Sequence, residues 1–260
     1  MKSSFCGFFI FKFCWRIKNK MKTNVLGINF DVIDGDSVIK KIFDVIENKE
    51  GKCFIVTANP EIVMLAQKDL ELNKIINKAD LVLPDGIGIV LASKLNKIKI
   101  NKRITGYDLV QKIFSMSKDK NFSVYFLGGE ENIVTKAKKN MGNKFDSLKI
   151  VGINNGFFSD EIKVVRKINL LKPDILLIGM GAPKQEKFIF KYKEIINAKI
   201  FIGVGGSFDV MAGKVKRAPK IFIDLNLEWL YRFMQEPRRF FRLMALPKFL
   251  FKVMLKKFFK

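Results

Sequence analysis

Three side chains able to hold a substrate or move a proton stand just after short apolar runs. Thr57 and Asn59 follow Cys53–Val56, and Asp85 follows Leu81–Leu83 in Leu-Pro-Asp-Gly. Together they offer a hydroxyl, an amide and a carboxylate. The 260-residue chain contains no histidine. That absence removes the usual proton carrier, His–metal sites and every Ser-His-Asp triad. Proton transfer is left to a carboxylate, a Tyr, a Lys or a Cys. All three residues are also turn formers and helix caps, Asn59 before Pro60 and Asp85 before Gly86, so spacing alone leaves both readings open.

The elements that must position them are legible in the same runs. Short apolar stretches stopped by turn residues and followed by helical periodicity read as buried parallel strands feeding helices. The pattern recurs at Ser123–Leu127, Leu148–Ile153, Ile175–Gly179 and Ile200–Val204. The expected fold is therefore α/β, a Rossmann-like, mostly parallel sheet flanked by helices, in which ligands bind beyond the carboxyl ends of the strands. Met21–Val32 reads as the first strand, and Ile221–Gln235 as one helix. Residues 1–20 read as a peripheral extension, 21–213 as the catalytic core, and 214–260 as a helical, basic appendage.

Composition narrows the partners. Lys and Arg number 48 against 25 Asp and Glu, a net charge of +23. Such an excess calls for an anionic partner: nucleic acid, an acidic membrane or a phosphorylated substrate. Three cysteines make no even framework and favour a reducing compartment. The apolar piece Phe5–Trp15 is too short to span a membrane. In the tail, Lys248, Lys252, Lys256 and Lys260 recur every fourth residue and share one helix face, with Phe249, Leu250, Val253, Met254 and Phe258 around the rest. That pattern fits a helix lying in the headgroup plane better than a nucleic-acid tail; a helix docked on the core is the alternative.

Other candidate sites follow from residue type. Asp34-Gly35-Asp36 has the spacing of a cation-binding acidic pair but stands in the turn before a helix, where capping is the expected role. Arg103 lies in a basic loop, where a guanidinium could clamp a diphosphate. Gly-Met-Gly-Ala-Pro-Lys-Gln-Glu at 179–186 brings Gln185 to a strand end, with Pro183 opening the helix. Gly205 and Gly206 end the last strand, where backbone amides suit a phosphate. Phe208 stands where a dinucleotide fingerprint needs its third glycine, so that motif is incomplete.

Taken together, TANPEIV, LPDG, R-x-TG-x-D, GxGAPKQE, GVGGSFD…AG…KRAP and EWLYR…EPRRFFR resemble the WecG/TagA/CpsF glycosyltransferases, from about Met21 to about Leu246. The resemblance implies an inverting bacterial transferase that moves N-acetylmannosamine, or a related sugar, from a UDP donor to undecaprenyl-diphosphate-linked N-acetylglucosamine. It implies work at the cytoplasmic membrane face, no divalent metal and no cofactor. By the same resemblance Asp85 is the general base, Thr57 and Asn59 contact substrate, and Arg103 and Gln185 lie near acceptor or donor sugar. Arg232, Arg239 and Arg242 match the arginines of a membrane-binding appendage that completes the site. A homo-oligomer is compatible with the apolar tail, and nucleic acid is not an expected partner.

Overall fold

The computed structural model describes residues 21–48, 51–235 and 244–258. The N-terminal extension, Arg239, Arg242, Pro237 and Lys260 lie outside the described residues. Six strands form one all-parallel sheet: β3 (Cys53–Ala58), β4 (Leu81–Pro84), β5 (Ser123–Gly128), β6 (Lys149–Asn154), β7 (Ile175–Gly179) and β8 (Ile200–Gly203), in the order β4-β3-β8-β7-β5-β6. β3, β4, β7 and β8 are buried along their whole length, which is why they read as continuous apolar runs rather than as alternating ones. β6 is half exposed and closes one edge.

Alternate residues of each strand feed two cores. Phe54 and Val56 point into a layer shared with α2 (Pro60–Ala66), α3 (Leu70–Asn77), α7 (Glu161–Leu171) and α8 (Lys184–Tyr192). Cys53 and Ile55 point into the opposite layer, shared with α1 (Gly35–Asn48), α5 (Gly106–Ser115), α6 (Glu131–Lys144) and α9 (Ser207–Met211). Helices on both faces of a parallel sheet make the arrangement doubly wound, as expected. β3 and β8 are neighbours although some 150 residues separate them, so the two halves of the chain meet at their carboxyl ends.

Two expectations are corrected. Met21–Val32 is no strand of this sheet: it is a separate antiparallel hairpin, β1 (Lys22–Val25) and β2 (Ile28–Asp31). Its turn places Leu26 and Gly27 at φ 46° and 83°, the left-handed pair that two-residue hairpin turns require. The stretch 221–235 is two helices, α10 (Lys220–Asp224) and α11 (Glu228–Gln235). Asn226 sits between them at φ 61°, a conformation Asn tolerates better than most residues, and the chain turns there. The last helix, α12 (Ala245–Phe258), packs against α2 and α4 (Ile87–Ser93). Phe249 is fully buried in that contact, so the helix is docked on the core, while Lys248, Lys252 and Lys256 face outward.

Candidate active site

β3 and β4 run parallel and in register, so their ends come out side by side: Thr57 pairs with Leu83 and Ala58 with Pro84. The next residues, Asn59 and Asp85, emerge on the same rim, where the Asp85 N–H donates to the Ala58 carbonyl at 2.9 Å. Both line a pocket of about 220 Å³ together with Glu61, Arg103, Trp229 and Leu246. Three residues expected from sequence are therefore brought together: Asn59, Asp85 and Arg103.

The capping alternative divides them. Asn59 caps α2, its side-chain oxygen accepting from the Ile62 N–H at 2.9 Å, so it is both a cap and a pocket residue. For α4 the N-cap position is Gly86, at φ 105°, which has no side chain to make a capping bond. The Asp85 carboxylate stands one residue before that cap and lines the pocket. Asp34 does cap: it accepts from the Ser37 backbone at 2.9 Å and from the Ser37 hydroxyl at 2.8 Å. The backbone bond foremost holds its carboxyl below the usual range. Asp36 is ion-paired with Lys112.

Thr57, Gln185, Gly205 and Gly206 do not line this pocket. Thr57, Gln185 and Gly205 form an adjoining polar seam where β3 meets β8, and Gly206 takes the N-cap position of α9. The Thr57 hydroxyl donates to the Gly203 carbonyl at 3.0 Å, and the Gly205 N–H donates to Gln185 Oε1 at 3.1 Å. Gln185 Nε2 in turn donates to Glu186 Oε1 at 2.8 Å. Glu186 is 1% exposed, and its Oε2 has no hydrogen-bond partner. Burial raises its pKa above the ordinary carboxylate value of 4.5, because the low-dielectric interior disfavours the charged form. A side chain on residue 203 would meet Gln185 Nε2 at 2.7 Å, so Gly203 is what allows the seam to close.

Arg103 reaches across from the core to the appendage. Its guanidinium pairs with Glu228 at 3.2 Å and approaches the Ile223 carbonyl at 3.4 Å, with the two charged side chains 15% and 10% exposed. In a pair this sheltered, loss of either ion leaves the other charge buried without its counter-ion. The second arginine of the region, Arg217, pairs with Asp108 and lies over the Tyr107 ring at 4.8 Å. Of Arg232 the structure describes only that its backbone lies in α11.

Sequence reasoning missed Glu61, Glu228, Trp229 and Phe233 as pocket residues. Trp229 and Phe233 are four apart on α11 and so share a face, a signal that was present but that helix packing explains equally well. Gly88 was missed too. A Cβ there would sit 2.7 Å from Pro60 Cγ and 2.8 Å from Leu246 Cδ1, so glycine lets α4 close against both pocket walls. Among the described residues no group of three or more His, Cys, Asp or Glu is arranged to hold a metal ion, and no helix is long and apolar enough to cross a membrane.

Comparison with known proteins finds relatives along most of the chain. The chain is 38% identical over 196 residues to the N-acetylglucosaminyldiphosphoundecaprenol N-acetyl-beta-D-mannosaminyltransferase of Bacillus spizizenii, covering 75% of this chain and 76% of that one. It is 35% identical over 204 residues to the Bacillus subtilis protein of the same name, covering 78% and 79%. Against the Staphylococcus aureus protein of that name it is 34% identical over 236 residues, covering 90% and 93%. The model of the glycosyl transferase WecG/TagA/CpsF family matches residues 23–260. With the parallel sheet, the paired strand ends and matched residues along nearly the whole chain, this protein belongs to the WecG/TagA/CpsF family of glycosyltransferases.

Proposed function

We propose that this glycosyltransferase moves N-acetylmannosamine from a UDP donor to the 4-hydroxyl of undecaprenyl-diphosphate-linked N-acetylglucosamine, with inversion and without a metal or other cofactor. The relatives' shared name supports the sugar and the lipid-linked acceptor. The observation that carries the mechanism is the Asp85 carboxylate, delivered to the pocket by β4 while Gly86 takes the capping position of α4. Asp85 takes the proton of the acceptor hydroxyl as its oxygen attacks the anomeric carbon from the face opposite UDP. Asn59 and Thr57 position substrate from the neighbouring strand end. Gln185, Gly205 and Gly206 shape the seam beside it, where the sugar or diphosphate of the donor is held.

The departing diphosphate needs positive charge. Arg103 supplies one guanidinium, and a phosphate there competes with Glu228 for it. Glu61, Asp85 and Glu228 otherwise make the pocket lining acidic, so further cations must come from elsewhere. Phe233 on α11 and Ala245 on α12 both line the pocket. By the family resemblance, Arg232, Arg239 and Arg242 are the proposed partners of the leaving group. The appendage thereby holds the enzyme to the anionic inner membrane face, where the acceptor lies, and completes the active site.

The test is transfer from UDP-N-acetylmannosamine to a lipid-diphosphate-linked N-acetylglucosamine with EDTA present, native protein beside Asp85→Asn. Disaccharide from the native protein, with the variant slower by about 10²–10⁴-fold, is the expected result. Product only with another UDP-sugar would keep the mechanism and change the donor. An Asp85→Asn variant of native rate would overturn the general-base assignment.

A further inference from the structure

A second cavity, of about 430 Å³, lies between the β1–β2 hairpin, the end of α4 with the loop after it, and α12. Its lining carries no carboxylate: Lys22, Lys97 and Lys256 supply the charge, and Leu95, Ile98 and Val253 are among its apolar members. The Asn96 side chain ties its walls together, donating to Thr23 Oγ1 at 2.9 Å and to the Asn24 carbonyl at 2.7 Å. Lys22 is held by Asp31 at 3.7 Å, which leaves Lys97 and Lys256, on opposite walls, as the lining lysines without an acidic partner among the described residues.

The surroundings are unusual for a surface that meets only water. No Asp or Glu occurs between Asp85 and Asp108, or after Glu236. Beside the lysines, Leu95 and Ile98 on one wall and Phe251, Met254 and Leu255 on α12 are exposed, Phe251 at 59% and Met254 at 50%. A soluble anion would use the lysines and leave these side chains in water. A lipid surface uses both, with lysines at the phosphates and apolar groups between the chains. α12 runs from the active-site wall at Leu246 to this cavity at Val253, about 10 Å along its axis.

We propose that this cavity seats the phosphate of an anionic phospholipid, with Lys97 and Lys256 as its cationic jaws, and so fixes the orientation of the active-site pocket relative to the bilayer. The inference deepens, and rests on, the membrane attachment proposed above. It differs from general attraction of a basic tail in naming a site built half by the core.

The experiment is sedimentation of the full chain with phosphatidylcholine vesicles containing or lacking phosphatidylglycerol. It compares Lys97→Ala/Lys256→Ala with Lys248→Ala/Lys252→Ala, which removes the same charge from α12 outside the cavity. A lysine near an anionic surface is worth about fivefold in binding, so a diffuse attraction weakens both variants equally, by about 25-fold. A built site weakens the Lys97/Lys256 variant several-fold more, gives an Ile98→Trp variant a blue-shifted emission on anionic vesicles, and leaves transfer to a short-chain, water-soluble acceptor unchanged. Equal losses in the two variants overturn the cavity and leave the membrane reading intact. Altered self-association of the Lys97/Lys256 variant with vesicle binding unchanged also overturns it, in favour of a second copy of the chain. A native protein that ignores anionic vesicles overturns both.

Discussion

At the scale of single residues, the pocket and the seam beside it separate two kinds of polar group. Asp85, Asn59 and Arg103 line a cavity, whereas Thr57 bonds to β8, and Gln185 on α8 bonds to Gly205 and to its neighbour Glu186. The expectation that Thr57 touches substrate has to accommodate its hydrogen being given to Gly203; only its oxygen lone pairs could accept from a ligand. Glu186 offers a sharper test. Its folded pKa lies above 4.5, so between the unfolded and folded values the native state binds the extra proton. Stability is therefore highest below the unfolded value and falls as pH rises toward the folded one. Glu186→Gln keeps an acceptor for Gln185 and cannot ionise. The variant should melt higher than native at neutral pH, with the difference shrinking as pH drops below 4.5 in a series of thermal denaturation curves. A native-like pH slope in the variant would refute the assignment.

At the scale of elements, the docking of α12 decides what the tail can be. Its lysine spacing suggested a helix resting on a membrane, and the lysines do face outward, yet Phe249 is buried between α2 and α4. Both statements hold because a helix has several faces, and four-residue spacing speaks for only one of them. Phe249→Ala removes a large core side chain at about 3–5 kcal/mol. The loss should fall on α12 rather than on the sheet. Hydrogen exchange across 245–258 should speed up while the strands keep their protection, and transfer activity should fall because Ala245 and Leu246 wall the pocket. Uniform loss of protection would mean that α12 belongs to the global folding unit.

At the scale of the whole molecule, the active site joins a sheet edge to an appendage. β3 and β4 supply the rim, the Arg103 loop supplies the cation, and Asn226, Glu228, Trp229, Phe233, Ala245 and Leu246 supply the far wall. Ending the chain after Gly213 should leave the six-strand sheet folded, since every strand precedes that point. It would strip the cover from α2 and α4, so the truncate should be less soluble, inactive in transfer and unable to bind anionic vesicles. Full activity would sink the proposal that the appendage completes the site.

What the sequence by itself determined is what depends on local order. Apolar runs ended by Asn-Pro, Pro-Asp-Gly and Gly-Gly mark buried strands and their exits, and these gave the α/β class and put Asn59 and Asp85 at a rim. The family resemblance in the same motifs then led to glycosyl transfer, which the similarity along residues 23–260 bears out. Only tertiary structure decided which residues share a cavity. Leu26-Gly27 turned an expected strand into a hairpin, Asn226 divided an expected helix, and Glu228 met Arg103 across 125 residues of chain. Such pairings arise from packing energies between distant segments, which no window of neighbouring residues contains. A capping residue and a catalytic carboxylate look alike before a helix. They part only when the fold shows which residue holds the N-cap position: Asn59 holds that of α2, whereas Gly86 holds that of α4 and Asp85 stands before it at the pocket.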